Sequence, residues 1–565
     1  MELLEHPEPL NTSIDRLRIG ARVWARLPID ERIAMLGELR PLIVRYAKSW
    51  VDAAAAAKGL EPQSPLTAEE WVSGPYALLY AVNRYIRTLE SLHRTGTIAL
   101  PGAVRTRADG QVIAPVFPVT LHDRLLLSGV SAEVWMQPGV RADRLRESMG
   151  RYYRTSQHEP NVSLVLGAGN IAAIPALDVL HKLIAEGSVC ILKMNPINEY
   201  LTPIFKEIFS PFIQRDFLEI VTGAADVGRY LTDHQGVDDI HMTGSSQTHD
   251  AIVFGSGDKT KPRLNKPVSS ELGNVSPTIV MPGNWTKADL RFQAEHIVTQ
   301  KMHNGGFNCI ALQVLILPQD WKLADAFVAE IETVLAQTTA RAGYYSGAAA
   351  RQRAFVTAHR NAREYDTATD TVVPRTIVEL DAAGDHEAFR NEVFCSAMAI
   401  TRLPGDAAAF LQAAVNFAND RLYGTLGANI LIDPATEKKL GTRFEDEMAK
   451  LRYGCIAINA WSGVGFLLAE ATWGAYPGHR LDDIQSGIGN VHNTFLFDEP
   501  QKTVIRAAFR PFPRGIPGGE FGLLPRPPWF VTNTQAANIA RKLLAFEYAP
   551  SLGKIPSLFA SAIRG

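Results

Sequence analysis

The stretch Lys301-Met302-His303-Asn304-Gly305-Gly306-Phe307-Asn308-Cys309 decides how this chain of 565 residues is read. Ala288 to Met302, just before it, has the pattern of a helix. Ala311 to Leu317, just after it, is an apolar run that reads as a strand. A cysteine at a helix end, on an Asn/Gly turn, is both open to approach and close to backbone N–H groups, as a nucleophilic thiol requires. Most free cysteines are small buried hydrophobes, so the thiol alone decides nothing. Upstream, Ser270-Glu271-Leu272-Gly273-Asn274-Val275-Ser276-Pro277 puts a carboxylate on a short turn before another predicted strand, where the fold can bring it back to the thiol.

The rest of the composition narrows the class. The length exceeds what one hydrophobic core supports, so two or three domains are expected. A charged fraction of 21% and a hydrophobic fraction of 46% are those of a globular protein. The net charge of -2 gives no electrostatic case for nucleic acid or an anionic membrane as partner. Met1 to Leu10 carries acids and prolines where a signal peptide has a basic start and an apolar centre, and no apolar run is long enough to span a bilayer. The four cysteines, Cys190, Cys309, Cys395 and Cys455, are too widely and irregularly spaced for a disulfide framework or a zinc site. The histidines form no metal constellation, so no metal is expected. These features point to a cytoplasmic enzyme.

Working outward, Ile14 to Lys58 and Ala68 to His93 have helical spacing. Val112 to Val140 changes to alternation and short apolar runs, Leu125-Leu126-Leu127 among them, and reads as a β-hairpin or meander projecting from the first domain. From Asn161 a strand–turn–helix scheme repeats: Val162 to Leu166, Ala172 to Glu186, Val189 to Lys193, Phe217 to Val221, Val227 to Thr232, Asp239 to Thr243. Strands and helices alternating in this way imply a parallel, doubly wound sheet. A second α/β unit begins at Ser276 to Met281 and continues through Gln313 to Leu317, Trp321 to Leu335, Ala397 to Arg402 and Gly427 to Ile432. After Trp473 the chain turns irregular. Arg510 to Gly519 and Leu524 to Pro528 are rich in Pro and Gly, and Thr534 to Ala549 reads as a short amphipathic helix.

Two turns have the chemistry of phosphate binding. Gly167-Ala168-Gly169-Asn170-Ile171-Ala172 fits the G-x-G-x-x-A fingerprint between a strand and a helix, yet the next strand ends in Lys193 and not in the acid that holds a ribose hydroxyl. It reads equally as a tight structural turn. Met242-Thr243-Gly244-Ser245 offers N–H groups at a helix start, where an anion or an N-cap serine fits.

Taken together and in order, these landmarks resemble the aldehyde dehydrogenase superfamily. Glu271-Leu272-Gly273-Asn274 is similar to its glutamate signature and Asn304 to Cys309 to its cysteine signature. Thr243-Gly244-Ser245 resembles its pyrophosphate turn, Asn170 with Lys193 its Asn and Lys pair, and Glu392-Val393-Phe394 its Glu-x-Phe. Tyr423-Gly424 and Gly454 to Asn459 resemble later landmarks, so the likeness runs over roughly Arg18 to Asn493. It implies an α/β fold of two doubly wound domains, one dinucleotide-binding and one catalytic, with a small β oligomerisation element. Residues 1–111 with 141–273 would form the first, 112–140 the β element, 274–472 the catalytic domain and 473–565 a C-terminal extension.

The resemblance also implies roles. Cys309 would attack an aldehyde as thiolate, with the Asn170 amide and the Cys309 N–H holding the oxyanion and Glu271 activating water. Lys193 and Glu392 would bind ribose hydroxyls of NAD, with NADP left open. Ser245 would bind the pyrophosphate, Phe394 would pack near the nicotinamide, and Gly228, Thr243, Gly244, Leu272 and Gly273 would complete the cofactor site. The implied partner is a small aldehyde, apolar by the residue types of Phe307, Ile310, Ile174 and Trp461, and the implied assembly is a homodimer or homotetramer. The chain departs from the family at Phe307 (usually Gln), Cys395-Ser396 (usually Gly-Pro), Pro196 (often Glu), His249 (usually Gly) and Val491 (usually Glu). Two alternatives stand beside hydrolysis: transfer of the acyl group to coenzyme A, or its reverse as an acyl-thioester reductase, and a catalytically weak scaffold that binds dinucleotide or a partner.

Overall fold

The computed structural model describes residues 7–255, 258–366, 369, 371–523 and 526–565. Met1 to His6 of the N-terminal stretch discussed above, and Leu524 and Pro525 of the Pro/Gly-rich tail, lie outside the described residues.

Two sheets dominate. In the smaller, five parallel strands run in the order Val268–Leu272, Asp239–Gly244, Val162–Leu166, Val189–Lys193, Leu218–Val221, and the short strand Gly487–Ile488 adds antiparallel to the Val268–Leu272 edge. Val162–Leu166 and Val189–Lys193 are buried almost throughout, as apolar runs covered on both faces by crossover helices must be. The larger sheet has eleven strands. Its parallel centre is Cys455–Ile458, Gly427–Leu431, Ser276–Val280, Leu312–Pro318, Ala397–Leu403 and Thr376–Leu380. The helix Lys287–Met302 leads from Ser276–Val280 towards Leu312–Pro318. It starts on a capping box in which the Thr286 hydroxyl accepts the Asp289 N–H and the Asp289 carboxylate accepts the Thr286 N–H. No helix among the described residues is long and apolar enough to cross a membrane.

Three expectations need correction. First, residues 112–140 are not a simple hairpin. Val112–Phe117 and Ser131–Met136 do pair antiparallel, but the helix Leu121–Leu126 lies between them. Thr120 and Asp123 form a capping box that starts this helix, so the leucine run follows helical and not extended geometry. Nor does the pair project from the first sheet, because Ser131–Met136 pairs with Pro500–Arg506 and so extends the larger one.

Second, the region after Trp473 is not all tail. Pro500–Arg506 sits inside the larger sheet, parallel to Cys455–Ile458 on its other side. Its polar composition hid it. Lys502 is buried, and its ammonium donates to the carbonyls of Met448, Ala449 and Leu451 at 3.1, 2.8 and 2.7 Å, satisfying the end of the helix Thr442–Lys450. Third, the chain ends in two helices, Ala536–Tyr548 and Ile555–Ile563, packed on each other through Ile539, Phe546 and Leu558.

The C-terminal helices are tied back to the body by a buried charge cluster. Arg84, on the helix Ala77–Thr95, meets Glu470 at 2.5 Å, Asp123 at 3.2 Å and Glu547 at 3.3 Å. With these tethers, the C-terminal helices cover a cavity of about 260 Å³ walled by Tyr76, Tyr80, Leu467, Leu543 and Phe546.

Candidate active site

The ends of the smaller sheet's strands open on a groove of about 1500 Å³. At the carboxyl ends of parallel strands the turns, and not the strands, face outward, which is where open α/β sheets place ligands. Asn170, Lys193, Gly228, Thr243, Gly244, Ser245, Glu271, Gly273, Cys309, Glu392 and Phe394 all line this groove. Among these residues, positions up to 224 apart in sequence, Asn170 and Phe394, are therefore brought to one surface. Leu272 is the exception. Its side chain is buried against Met242 and Ile484 and supports the groove from behind.

Cys309 follows a 3-10 turn, His303–Gly306, whose last three residues have positive φ: Asn304 at 55°, Gly305 at 65° and Gly306 at 82°. At Gly306 a Cβ would lie 2.5 Å from the Cys395 carbonyl oxygen, so only glycine fits. The tight turn lifts the thiol to the groove. Its Sγ is 3.5 Å from Oε1 of Glu271. Glu271 does not sit on a turn, as its sequence setting suggests. It is in the strand Val268–Leu272, opposite Thr243 on one side and Gly487 on the other, and Gly273 provides the turn. Burial, then the negative charge of Asp178, pushes the Glu271 carboxyl up to about 7. Burial and the adjacent Glu271 carboxylate hold the Cys309 thiol far above the ordinary thiol range. This pair is a thiol beside a carboxylate that titrates near neutrality, so one proton can pass between them.

Asn170 is buried, and its side-chain amide donates to the Phe307 carbonyl at 3.0 Å. An amide has two N–H groups, and the second remains for an oxyanion. The glycine turn before Asn170 is packed and not open: a Cβ at Gly169 would lie 2.8 Å from Oδ1 of Asn195, and one at Gly167 3.1 Å from Pro175. It has the contacts of a tight structural turn that carries Asn170. Ser245 caps the helix Ser246–Val253 by accepting the Thr248 N–H at 3.1 Å, leaving the first free N–H groups at the groove.

Glu392 packs over Gly273, where a Cβ would lie 2.0 Å from its carboxylate. Its Oε1 has no hydrogen-bond partner among the described residues, and burial pushes its carboxyl up to about 8 despite Lys301 and Arg351 nearby. Lys193, at the end of its strand, is lowered by burial. Phe394 has a positive φ of 47° and its ring meets Tyr345 at 5.0 Å and Phe307 at 5.9 Å. Phe307, where the resembled family usually has Gln, is thus buried in an aromatic group with Tyr344 and Tyr345. In the Cys395-Ser396 segment Cys395 is fully buried, and the Ser396 hydroxyl bonds the Val373 and Pro374 carbonyls at 3.1 Å. His249 is buried and 3.2 Å from Asp250.

Several residues at the site had no sequence signal. Lys58, Glu69 and Glu70 come from the N-terminal helical region, Arg341 and Tyr344 from a loop, and all five bear on Asn170 or Asn304. Lys301 and Asp178 are charged residues buried in helices, where spacing alone reads as ordinary helix.

Comparison with known proteins agrees with this geometry. An N-succinylglutamate 5-semialdehyde dehydrogenase from Sphingopyxis alaskensis is 28% identical over 177 residues, covering 31% of this chain and 35% of that protein. A coniferyl aldehyde dehydrogenase from Pseudomonas sp. is 28% identical over 166 residues, covering 29% of this chain and 32% of that protein. The matched stretch thus spans about a third of each of these relatives. The solved structure of an NADP-dependent glyceraldehyde-3-phosphate dehydrogenase from Bacillus halodurans C-125, complexed with NADP, shares the fold. Its TM-score is 0.60 at 18% identity, with 89% of this chain and 92% of that chain covered. Residues 161–466, which carry Asn170, Lys193, Ser245, Glu271, Cys309 and Glu392, match the model of the aldehyde dehydrogenase family, and the chain belongs to that family.

Proposed function

We propose that this protein oxidises an aldehyde to a carboxylic acid with NAD or NADP, through a thiohemiacetal and then a thioester on Cys309. The observation that carries this reading is the Glu271–Cys309 pair, 3.5 Å apart, in the same groove as Asn170, Ser245, Lys193 and Glu392. Glu271 takes the thiol proton and the thiolate attacks the carbonyl carbon. Asn170 donates its free N–H to the oxygen as negative charge develops there. Once that proton has passed from Glu271 to solvent, the carboxylate draws a proton from water, and the water attacks the thioester carbonyl, breaking the C–S bond and releasing the carboxylic acid and the Cys309 thiolate.

The donor set fits a dinucleotide. Ser245 and the start of its helix suit a pyrophosphate, and Glu392, with an oxygen that has no hydrogen-bond partner among the described residues, suits a ribose hydroxyl, with Lys193 nearby. When bound, that cofactor supplies the hydride acceptor. Both NAD and NADP are kept, and NAD is the first to test, although the Bacillus halodurans structure is complexed with NADP.

The substrate proposed is apolar on the residue types of Phe307, Ile310, Ile174 and Trp461 alone, since all four are buried in the core and none is among the residues lining the groove. The four cysteines are free, which supports a reducing, cytoplasmic setting. Assembly as a homodimer or homotetramer follows the family likeness, and light scattering reads it directly.

The test is reduced-nicotinamide formation by the purified protein with short, long and aromatic aldehydes, with and without coenzyme A. Turnover without coenzyme A that Cys309→Ala abolishes, and whose first hydride transfer Glu271→Gln slows with no further turnover after it, supports hydrolysis. Turnover only with coenzyme A assigns acyl transfer instead. No turnover with any aldehyde, while dinucleotide still binds, overturns the proposal in favour of a scaffold.

A further inference from the structure

The backbone carbonyl of Asn170 is gripped by three donors from three separate segments. Lys58 Nζ donates to it at 3.1 Å, Asn304 Nδ2 at 3.1 Å and the Tyr344 hydroxyl at 3.1 Å. A carbonyl has two lone pairs, and the Tyr344 hydroxyl has an alternative acceptor in Asn304 Oδ1 at 3.1 Å. The Lys58 ammonium is therefore the charged member of the grip. It stands at the end of the helix Ile29–Ala57, its side chain is 1% exposed, and Glu70 neutralises it at 2.8 Å. A second buried pair lies alongside. Arg341 bonds both oxygens of Glu69, at 3.0 and 2.9 Å, and Glu69 accepts the Asn304 N–H at 3.0 Å. Asn304 in turn donates to the Phe307 carbonyl at 3.0 Å, the same oxygen that takes the Asn170 amide.

We infer that Lys58, with Glu70 as its counter-charge, is a positioning residue that fixes the Asn170 peptide and through it the oxyanion-binding amide against the Cys309 loop. Lys58, Glu69 and Glu70 lie outside residues 161–466, so the N-terminal region supplies a support that the family-matched region lacks. The physical case rests on the cost of burying charge. An ammonium and a carboxylate, each nearly inaccessible, are held there only by strong partners, and one of the two hydrogen-bond partners this ammonium has among the described residues is the main chain of Asn170. An oxyanion donor works by being in place before charge develops, so looseness at Asn170 slows chemistry while leaving cofactor affinity alone. This rests on the proposed role of Asn170. Wild-type turnover tests that role, and the variants below are compared only with an active wild type.

The experiment is a single-turnover measurement of reduced-nicotinamide formation with an aldehyde that the wild type oxidises. Cofactor dissociation constant and melting temperature are measured on the same samples. Lys58→Met alone orphans Glu70, so the principal variant is Lys58→Met with Glu70→Gln, which removes both charges together. The expected result is a burst rate about tenfold lower or more, short of the roughly 10²–10³ lost when an oxyanion donor is deleted outright. The cofactor dissociation constant stays within about twofold. Lys58→Arg with Glu70 retained recovers part of the rate, and Tyr344→Phe loses only a small part. A double variant with an unaltered burst rate overturns the inference. So does one whose rate and cofactor affinity fall together, since that is general damage. If the double variant does not fold, Tyr344→Phe and Lys58→Arg decide: wild-type bursts in both overturn the inference, and a slower burst at unchanged cofactor affinity in either supports it.

Discussion

Oε1 of Glu271 stands 3.5 Å from Sγ of Cys309, and its other oxygen, Oε2, has no hydrogen-bond partner among the described residues. Around this carboxyl are Cys309, Trp473, His241 and Asp178, and the burial of the site with the charge of Asp178 raises it to about 7. A general base acts in its ionised form, so activity should rise as pH increases through about 7, the acid limb being set by Glu271. Asp178 lies in the helix Ile174–Leu180 and accepts the Thr243 hydroxyl at 3.1 Å. Asp178→Asn removes a negative charge that disfavours the ionised carboxylate. The acid limb of kcat/KM should then move to lower pH. A limb that stays in place, or moves up, would sink this assignment.

The same carboxyl makes a stability prediction with a definite sign. Its folded value, about 7, is above the ordinary glutamate value of 4.5, so the folded state holds the proton more tightly. The stabilisation is fully present below the unfolded value and is lost as pH rises through about 7. At one pH unit per 1.36 kcal/mol the full effect is on the order of 3 kcal/mol. Glu271→Gln cannot ionise. It should leave the melting temperature almost unchanged near about pH 5 and raise it near about pH 9. Calorimetry of both proteins at the two pH values tests this, and equal melting temperatures at the higher pH would contradict it.

How much of this was legible in the sequence follows from what each element depends on. Val162–Leu166 and Val189–Lys193 were read to the residue because both faces of a parallel strand are buried and the apolar run is continuous. Cys309, Glu271 and Asn170 were found because glycine turns and chain order mark them, and the structure brings all three to one groove. Pro500–Arg506 was missed because its buried Lys502 satisfies three carbonyls of another helix, a long-range reason no local pattern carries. The helix Leu121–Leu126 was missed for a local reason, the Thr120–Asp123 capping box, which was there to be read. Lys58 and Glu70 were out of reach. A lysine after an alanine run looks like a helix end, and only the fold shows what it bonds.

Arg84 answers three buried acids, and its loss should be felt mainly in stability. Glu470 and Glu547 are raised by burial and held down by this guanidinium, with Tyr80 donating to Glu470 and Asn83 to Glu547. Arg84→Met leaves Glu470, Asp123 and Glu547 without the guanidinium that pairs all three. Removing one partner of a buried ion pair costs about 3–5 kcal/mol. The loss should shrink in mild acid, where the orphaned acids take up protons and the repulsion goes. Denaturant unfolding at about pH 8 and about pH 5 reads both numbers. A destabilisation of the same size at the two pH values would show that packing, not charge, is what Arg84 contributes.

Lys301 and Glu392 link the Cys309 loop to the side of the groove proposed for the cofactor. Lys301 is fully buried at the end of the helix Lys287–Met302. Its Nζ has no hydrogen-bond partner among the described residues, and burial lowers it to about 8. Glu392 is raised by burial to about 8, and Lys301 is the largest influence holding it down. The two groups therefore favour each other's charged forms. Lys301→Met removes that support and pushes the Glu392 carboxyl further up, so that at neutral pH it is protonated more of the time. A protonated carboxyl accepts a ribose hydroxyl less well than a carboxylate does. The cofactor dissociation constant should rise several-fold near about pH 7, and alkaline pH should restore part of the lost affinity as Glu392 ionises. Calorimetric titration with NAD at the two pH values, beside Glu392→Gln, decides the matter. Glu392→Gln should weaken binding with no recovery at high pH. If Lys301→Met binds cofactor as the wild type does at both pH values, the ammonium has no part in holding Glu392 charged, and Arg351 with the Asn274 N–H would have to do so.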